Sequence, residues 1–317
     1  MKALVTGGLG FIGSHIVDRL ISDGHQVVVI DNESKSSKEF YYNDAAEYAW
    51  YDIADYKRIA PLFKKVDYVF HLAAETQIQS TLEQPNVCVK TNVTGTCNVL
   101  QAAVENKIKR VVFSTTSAIY GNRTMPSDMR VWRGVDEDMA PEPLNPYALS
   151  KLFAEDLCMM YSSLYGLETV MLRYFNVYGD RQPSTGSYAP VIGIFKKQVN
   201  SGDPMTIIGD GKQTRDYVNV SDVVEANMKA AFIDDKACIG EIFNIGTGRS
   251  TSVLDLANMI GKVKLGMPQG WIHLPERMAE VRHSKGNIKK SKELLKWTPK
   301  IKLEDWINEN ISTVPNA

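Results

Sequence analysis

The sequence predicts an α/β protein built on a doubly wound parallel sheet. Short runs rich in Val, Ile and Leu, such as residues 26–31 (QVVVID) and 110–114 (RVVFS), do not alternate with polar residues, which is typical of strands buried on both faces. Longer stretches with apolar residues at helical spacing separate these runs along the first half of the chain. Strands and helices that alternate in this way favour a parallel sheet covered by helices on both sides.

Each element follows from its own pattern. Strands are predicted at residues 3–6, 26–31, 66–72, 110–114 and 169–175, and helices at residues 14–22, 91–106 and 147–165. Crossovers between parallel strands are right-handed almost without exception, which limits the topologies that this order of elements allows.

Beyond Asn176 the pattern loosens, and turn-rich pieces at 180–187, 209–211 and 246–251 interrupt short strands and helices. We interpret residues 1–176 as the large sheet domain, to which the chain returns near 213–247. Residues 177–212 and 248–317 are predicted to form a smaller, mixed α/β region that binds the substrate.

The bulk composition argues against several classes of partner. The 317 residues carry a net charge of −1, so no basic excess favours nucleic acid or an anionic membrane. The four cysteines form no C-x-x-C pair, and no His stands at metal-ligand spacing from them, so neither a metal site nor a disulfide framework is predicted. No apolar run reaches about 18 residues, and no signal-peptide pattern is present. A cytoplasmic protein without a membrane partner is therefore expected.

Residues 6–13 (TGGLGFIG) join the first strand to the first helix. Gly7, Gly10 and Gly13 fit G-x-x-G-x-x-G, a relative of the dinucleotide-binding turn of Rossmann folds. Glycines let the backbone approach a pyrophosphate, and the helix N-terminus adds N–H donors and partial positive charge. Asp31 ends the second strand, where a carboxylate can accept a hydrogen bond from a ribose hydroxyl and would repel a 2′-phosphate, which favours NAD over NADP. The alternatives are a tight turn without a ligand and a plain strand-end acid.

Tyr147 and Lys151 stand four residues apart at the start of a predicted helix, so their side chains share one face. The hydroxyl-rich end of a strand, residues 114–121 (STTSAIYG), carries Thr116 to the same edge of the sheet. Oxidation of a sugar hydroxyl needs a base for the proton while hydride leaves carbon. A tyrosine, with an ordinary pKa of about 10, becomes such a base when an ammonium and a positive nicotinamide ring stabilise the phenolate. We expect Thr116 to hydrogen-bond the reacting oxygen.

Together these features resemble the extended short-chain dehydrogenase/reductase family, in its NAD-dependent nucleotide-sugar epimerase/dehydratase branch. The resemblance spans nearly the whole chain, through residues 7–13, 31–32, 52–53, 71–74 (HLAA), 92–96 (NVTGT), 114–121, 147–151, 173–179 (RYFNVYG), 213–220 (QTRDYVNV) and 280–284 (EVRHS). Residues 286–288 (GNI) depart from the usual Ala-Asp-Ile-like step, although Asn can still cap the helix that follows. The resemblance also implies a homodimer, because the helices at 91–106 and 147–165 pair across a two-fold axis in this family.

The resemblance implies a role for each matching residue. Tyr147 would be the acid/base, Lys151 would tune it and hold the nicotinamide ribose, and Thr116 would take the place of the catalytic Ser or Thr. The implied contacts with NAD are Gly7, Gly10, Phe11, Ile12, Gly13, Asp31, Asn32, Asp52, Ile53, Leu72, Ala73, Ala74, Asn92, Ser114, Tyr147, Lys151 and Tyr174. The implied contacts with a UDP-sugar are Thr116, Ser117, Asn176, Tyr188, Val191, Arg215, Arg277, Glu280 and Ser284. The two arginines would clamp the diphosphate, whereas without the motif each would be interpreted as half of a surface ion pair.

The residues after Thr116 bear on the reaction. Dehydratases and decarboxylases of the branch carry an acid there, whereas this chain has Ser117 and Ala118. The pattern favours 4-epimerisation through a transient 4-keto sugar. By the resemblance, Ser284 would face the C2 substituent of the sugar, and its small side chain would leave room for an N-acetyl group. This favours UDP-GlcNAc/UDP-GalNAc, with UDP-Glc/UDP-Gal as further substrates. The alternatives are a UDP-glucuronate 4-epimerase, a dehydratase or decarboxylase on the same scaffold and, in another class, a non-catalytic NAD-binding sensor or scaffold.

Overall fold

The computed structural model describes residues 1–34, 40–122, 132–184, 190–263 and 271–311. The strands in these ranges are β1 (Lys2–Thr6), β2 (Gln26–Asp31), β3 (Glu47–Trp50), β4 (Tyr68–His71), β5 (Arg110–Thr116), β6 (Glu168–Tyr174), β7 (Asn176–Tyr178), β8 (Met205–Ile208), β9 (Thr214–Arg215), β10 (Tyr217–Asn219), β11 (Glu241–Ile245), β12 (Thr251–Ser252) and β13 (Trp271–Leu274). The helices are α1 (Phe11–Ser22), α2 (Tyr56–Ile59), α3 (Ile78–Glu83), α4 (Pro85–Val89), α5 (Gly95–Glu105), α6 (Pro146–Tyr165), α7 (Val191–Ser201), α8 (Val220–Phe232), α9 (Val253–Val263), α10 (Lys289–Glu293) and α11 (Leu303–Ile311). Short 3₁₀ turns lie at Ala60–Phe63, Ser117–Tyr120 and Lys236–Cys238, and a π-helical turn lies at Lys90–Thr94.

The large sheet has seven parallel strands in the order β3-β2-β1-β4-β5-β6-β11. The chain winds outward from β1 in one direction and then, beginning with β4, in the other. Ligands of such sheets bind outside the carboxyl ends of the strands, at the point where the strand order reverses. The fold therefore predicts a site between the ends of β1 and β4.

Helices cover both faces of this sheet, because both faces of its strands are apolar. On one face α1 and α8 contribute side chains such as Ile16, Leu20 and Val223 to the core. On the other face α5 and α6 contribute side chains such as Leu100 and Cys158. The predicted α/β class with a doubly wound parallel sheet is confirmed.

A second, smaller core lies beyond the carboxyl edge of the sheet. It is formed by α7, α9 and α11, with Phe195, Leu256 and Trp306 among its buried side chains. Two short strand pairs, β8 with β13 and β9 with β12, accompany these helices. Strand β11, in the segment predicted to return to the large domain, pairs with β6.

Four local features differ from the prediction. Leu295 and Trp297, in the stretch 248–317 predicted for the smaller region, share a core cluster with strand side chains such as Val5 and Val29. The Trp297 indole N–H donates to the Asp222 carbonyl at 2.9 Å. Strand β3 lacks a recognisable apolar run because it is a four-residue edge strand with no fully buried side chain. The predicted helix 91–106 begins as the π-helical turn and continues as α5. The predicted strand 110–114 runs on to Thr116.

Within the described ranges, no helix combines the length and the apolar character that crossing a membrane requires. The cytoplasmic location stays a prediction.

Candidate active site

A cleft of about 950 Å³ opens where the strand order reverses. Its walls include the glycine turn before α1, the ends of β2, β4, β5 and β6, and the first turn of α6. Val191 and Glu280, from the segments predicted to form the smaller region, and Arg215, from the returning segment, also line the cleft. The cleft thus joins the predicted dinucleotide site to the predicted sugar site in one continuous space.

The glycine turn is shaped by close backbone contacts. Gly7 has a φ of +71°, and a Cβ there would lie 2.7 Å from the Ala73 nitrogen. A Cβ on Gly13 would lie 2.1 Å from the Gly7 carbonyl oxygen, so only glycine fits. Gly10 is the N-cap of α1 and provides no side chain to cap the first N–H groups. Those N–H donors and the helix dipole fit a pyrophosphate, as the cleft-lining positions of Phe11 and Ile12 allow.

Asp31 closes the same turn from the end of β2. Its carboxylate accepts hydrogen bonds from the Leu9 N–H at 3.1 Å and from the Glu33 N–H at 2.9 Å. Each carboxylate oxygen can accept more than one hydrogen bond, so the group can also accept from a ribose hydroxyl at the cleft wall. This arrangement fits NAD, and Asn32, Asp52 and Ile53 line the wall beside it.

A buried histidine holds the ends of β1 and β4 together. The Thr96 hydroxyl donates to the Asn92 carbonyl at 2.6 Å, so its oxygen accepts from His71 Nε2 at 2.9 Å. His71 Nδ1 is then the acceptor for the Thr6 hydroxyl, at 2.7 Å. Burial lowers the pKa of His71 to about 3, so the ring is neutral and holds this tautomer. The network positions Ala73 at the cleft wall, because the Ala73 N–H donates to the Thr6 hydroxyl at 3.2 Å.

Tyr147 and Thr116 meet at the floor of the cleft. Thr116 ends β5, and its oxygen accepts from the Ala118 N–H at 3.1 Å, which leaves the hydroxyl proton for the hydrogen bond with Tyr147. Desolvation raises the pKa of Tyr147 to about 12, against the lowering effect of the Thr116 hydrogen bond. The expected lowering of the Tyr147 pKa is therefore not achieved by these protein groups by themselves.

Lys151 lies one helical turn beyond Tyr147 and is buried. Its ammonium donates to the Ser114 carbonyl at 2.7 Å and lies 4.5 Å from the centre of the Phe113 ring. Burial lowers the pKa of Lys151 to about 8, which leaves a cation that is readily deprotonated. The Ser114 hydroxyl in turn hydrogen-bonds the phenol of Tyr174 at 2.8 Å, and Tyr174 also contacts Asn227.

Asn92 is the one predicted cofactor contact that the structure sets behind the described cleft wall. Its side-chain oxygen accepts from the Glu75 N–H at 2.7 Å, and its amide donates to the Glu75 carbonyl and to the Ser150 hydroxyl, both at 2.9 Å. Ser150 donates to the Tyr147 carbonyl at 2.8 Å. Asn92 therefore links α6 to Glu75 from behind the described cleft wall. Its contact with the cofactor stays a prediction.

The far end of the cleft carries the predicted diphosphate clamp. Glu280 lies between two cations, with its carboxylate 3.8 Å from Arg215 and 3.6 Å from Arg277. Arg215 also donates to the Thr214 carbonyl at 3.0 Å, and burial lowers its pKa. Two arginines held at one end of a cleft can bind a diphosphate through several charge-assisted hydrogen bonds.

The other predicted residues can be located briefly. All predicted NAD contacts except Asn92 line the cleft, as do Thr116, Ser117, Asn176, Val191, Arg215, Arg277, Glu280 and Ser284. Tyr188 lies outside the described residues. The roles of these side chains stay predictions.

Among the cleft-lining residues that sequence reasoning missed, Asn145 and Glu75 stand out. Asn145 caps α6 and lines the cleft, and Glu75 lines it as well. Asp216 stands between the lining residues Arg215 and Tyr217 but is itself buried. It accepts four hydrogen bonds, from Thr247 twice, from Gly248 and from Gly286. Asn145 was recognisable, since Asn before Pro-Tyr at a helix start is an N-cap signal. Asp216 followed Arg215 in the quoted motif, but nothing in the sequence shows that its partners come from two distant loops.

A glycine turn for a dinucleotide, a Tyr–Lys–Thr cluster and a pair of arginines in one cleft define an NAD-binding enzyme of the doubly wound class. Residues 3–246 match the NAD dependent epimerase/dehydratase family, and the chain belongs to that family. The predicted family, enzyme class and cofactor are thereby confirmed.

Three similar proteins illustrate the match. A putative UDP-glucose 4-epimerase of Methanocaldococcus jannaschii is 39% identical over 315 residues, which cover 99% of this chain and 98% of that protein. The crystal structure of a Thermotoga maritima UDP-glucose 4-epimerase with UDP-glucose has a TM-score of 0.90 and 37% identity, covering 98% of this chain and 97% of that one. A UDP-N-acetylglucosamine 4-epimerase of Methanobrevibacter ruminantium M1 has a TM-score of 0.87 and 33% identity, covering 98% and 96%.

Proposed function

We propose that the chain catalyses NAD-dependent 4-epimerisation of a UDP-sugar through a transient 4-keto intermediate. One observation carries the proposal: Tyr147, Thr116 and the glycine turn line the same cleft as Arg215 and Arg277. A sugar attached to a diphosphate between the arginines can therefore reach the phenol. The similarity to proteins described as UDP-glucose and UDP-N-acetylglucosamine 4-epimerases supports the same reaction.

The protein groups have separable tasks. Tyr147, as phenolate, accepts the proton of the sugar 4-hydroxyl, and Thr116 holds that hydroxyl in line. NAD, when bound, supplies the hydride acceptor and donor, together with a positive charge near the phenol. Arg215 and Arg277 keep the diphosphate bound while the 4-keto sugar rotates to present its other face to the hydride. Tyr147 then returns the proton to the new 4-hydroxyl. Ser117 and Ala118 offer no acid for elimination or decarboxylation, so oxidation followed by reduction is the whole reaction.

We infer that the hexose is N-acetylated, as in UDP-GlcNAc and UDP-GalNAc, with UDP-Glc and UDP-Gal as further substrates. Ser284 lines the cleft, and its N–H donates to the Thr214 carbonyl at 3.1 Å, which fixes the position of its backbone. Its small side chain leaves room for an N-acetyl group. Glu75 also lines the cleft, and a carboxylate there disfavours a uronate sugar by like-charge repulsion.

Product analysis tests the reaction and the sugar together. Purified protein is incubated with UDP-GlcNAc, UDP-Glc and UDP-glucuronate, with added NAD, and the products are identified by NMR. We expect the 4-epimer of UDP-GlcNAc and no loss of carbon dioxide or water. A Ser284→Tyr variant should lose activity on UDP-GlcNAc and retain it on UDP-Glc. Equal losses on both sugars would contradict the role of Ser284, and a decarboxylated or dehydrated product would contradict the reaction.

We further propose a homodimer that uses α6. Leu149, Phe153, Met160 and Leu164 lie at positions that share one face of this helix and are between 40% and 69% exposed. A row of large apolar side chains exposed on one helix is typical of an interface rather than of a solvated surface. Because α6 also carries Tyr147 and Lys151, the second protomer would stabilise the catalytic helix from outside.

A further inference from the structure

The segment that carries Arg277 and Glu280 lies largely on the surface. It follows β13, whose four residues are exposed, and its Met278 is 80% exposed. Ala279 stands between the two charged residues with a φ of +58°, a conformation that costs energy for a residue with a Cβ. Such a segment needs a specific hydrogen bond to the rest of the protein if Arg277 and Glu280 are to stay at the cleft.

Asn145 provides a hydrogen bond of this kind. Its amide nitrogen donates to the Ala279 carbonyl at 3.2 Å, although the two residues are 134 positions apart. The side chain is buried, with 6% of its surface exposed, so water competes little for this bond. Gln79 also donates to this segment, to the Met278 carbonyl, but at 3.5 Å and on the surface. A contact of that length is a weak hydrogen bond.

The other end of the same amide holds the catalytic helix. Asn145 is the N-cap of α6, and its side-chain oxygen accepts from the Ala148 N–H at 2.9 Å. Pro146 and Tyr147 are the first two residues of that helix, so the cap fixes the turn that carries the phenol. Only a side chain of this length with both an acceptor and a donor can bind the Ala148 N–H and the Ala279 carbonyl at once. Asp lacks the donor, and Ser is too short to span to Ala279.

We propose that Asn145 is a positioning residue that couples nucleotide binding by the Arg277–Glu280 segment to the placement of Tyr147. The proposal rests on the proposed function, because it assigns the diphosphate to that segment. When a ligand fixes the segment, the Ala279 carbonyl is held where Asn145 donates to it, and the first turn of α6 is held with it. Coupling of this kind is reciprocal, so an ordered α6 also favours ligand binding.

The test uses the whole chain with UDP as the probe. In Asn145→Ser and Asn145→Asp the cap persists and the donor to Ala279 is lost. We expect UDP, measured by calorimetry, to bind roughly two- to tenfold more weakly, which is the worth of one neutral hydrogen bond. We expect kcat for the UDP-sugar to fall by a similar factor, since Tyr147 is less well placed. With Arg277→Ala already present, the further loss on Asn145→Ser should be less than roughly twofold.

Two controls separate the possible outcomes. Asn219→Ser changes the Asn cap of α8, whose side chain accepts from the Ser221 N–H at 2.9 Å away from the cleft, and should leave UDP binding unchanged. Unchanged UDP affinity in Asn145→Ser, or losses that simply add to those of Arg277→Ala, would overturn the coupling while epimerase activity in the wild-type chain upholds the proposed function. A wild-type chain that binds no UDP would overturn both.

Discussion

The ammonium of Lys151 donates a 2.7 Å hydrogen bond to the Ser114 carbonyl oxygen, and so joins α6 to the end of β5 beneath the phenol of Tyr147. This bond explains how a cation can be held in a buried position, with 3% of Lys151 exposed. The carbonyl replaces part of the water that the ammonium loses, and the remaining cost of burial appears as the lowered pKa.

Lys151 should give the stability of the protein a distinct pH dependence. Its pKa falls from 10.5 in the unfolded chain to about 8 in the folded one, so between these values the unfolded chain binds more protons. Stability therefore rises with pH across that window, and below it the buried charge costs up to about 3 kcal/mol. Lys151→Met removes this term, so its stability relative to wild type should decline from pH 7 towards pH 10 in chemical denaturation. Parallel stability curves would contradict a buried, shifted ammonium.

Thr116→Val should move the acid limb of the kcat/KM profile to higher pH. The Thr116 hydrogen bond lowers the pKa of Tyr147, so its loss raises the pKa and leaves less phenolate at a given pH. We expect activity near neutral pH to fall about tenfold or more, as general-base catalysis weakens. Thr116→Ser retains the hydroxyl and serves as the control. A profile that falls in height without shifting along the pH axis would show that Thr116 acts on the substrate and not on Tyr147.

Substitutions of the glycines at the start of α1 should have two different effects: one should lower stability, and the other should weaken NAD binding. A Cβ on Gly13 meets the Gly7 carbonyl at 2.1 Å, whereas a Cβ on Gly10 comes no closer than 3.3 Å to that oxygen. Gly13→Ala should cost about 2 kcal/mol or more of stability, because backbone must move. Gly10→Ala should fold with little change in Tm and still bind NAD roughly tenfold more weakly, because its methyl group occupies the approach of the pyrophosphate. Calorimetry with NAD and thermal unfolding measure the two effects, and equal NAD affinity in Gly10→Ala and wild type would refute the assignment.

Phe153→Glu should convert the proposed homodimer to monomers. Phe153 is 53% exposed in the middle of the apolar row on α6, and a buried carboxylate without a partner is costly at an interface. Light scattering after size-exclusion chromatography gives the mass directly. Met278→Glu is a control, since Met278 is more exposed but is not part of the apolar row on α6. A monomeric wild-type protein, or a dimer that persists in the Phe153→Glu variant, would contradict the proposal that α6 forms the dimer interface.

Much of the cofactor end of the site could be predicted because its signals are local. The spacing of Gly7, Gly10 and Gly13 reflects the close approach of neighbouring backbone, and Tyr147 and Lys151 share a face because an α-helix repeats every 3.6 residues. The apolar strands likewise show their double burial in their own composition. The same local information could not show that burial raises the pKa of Tyr147, since a pKa depends on everything that surrounds the phenol.

By itself, the sequence determined the doubly wound sheet, the dinucleotide turn and the Tyr–Lys pair, because each depends on short-range backbone geometry. Only the tertiary structure decided that Asn92 hydrogen-bonds Ser150 of α6, that Trp297 joins the core cluster of the large sheet, and that Asn145 reaches Ala279. The physical reason is that periodicity specifies which face of an element is buried, whereas the partner of a buried polar group is fixed only when distant segments meet.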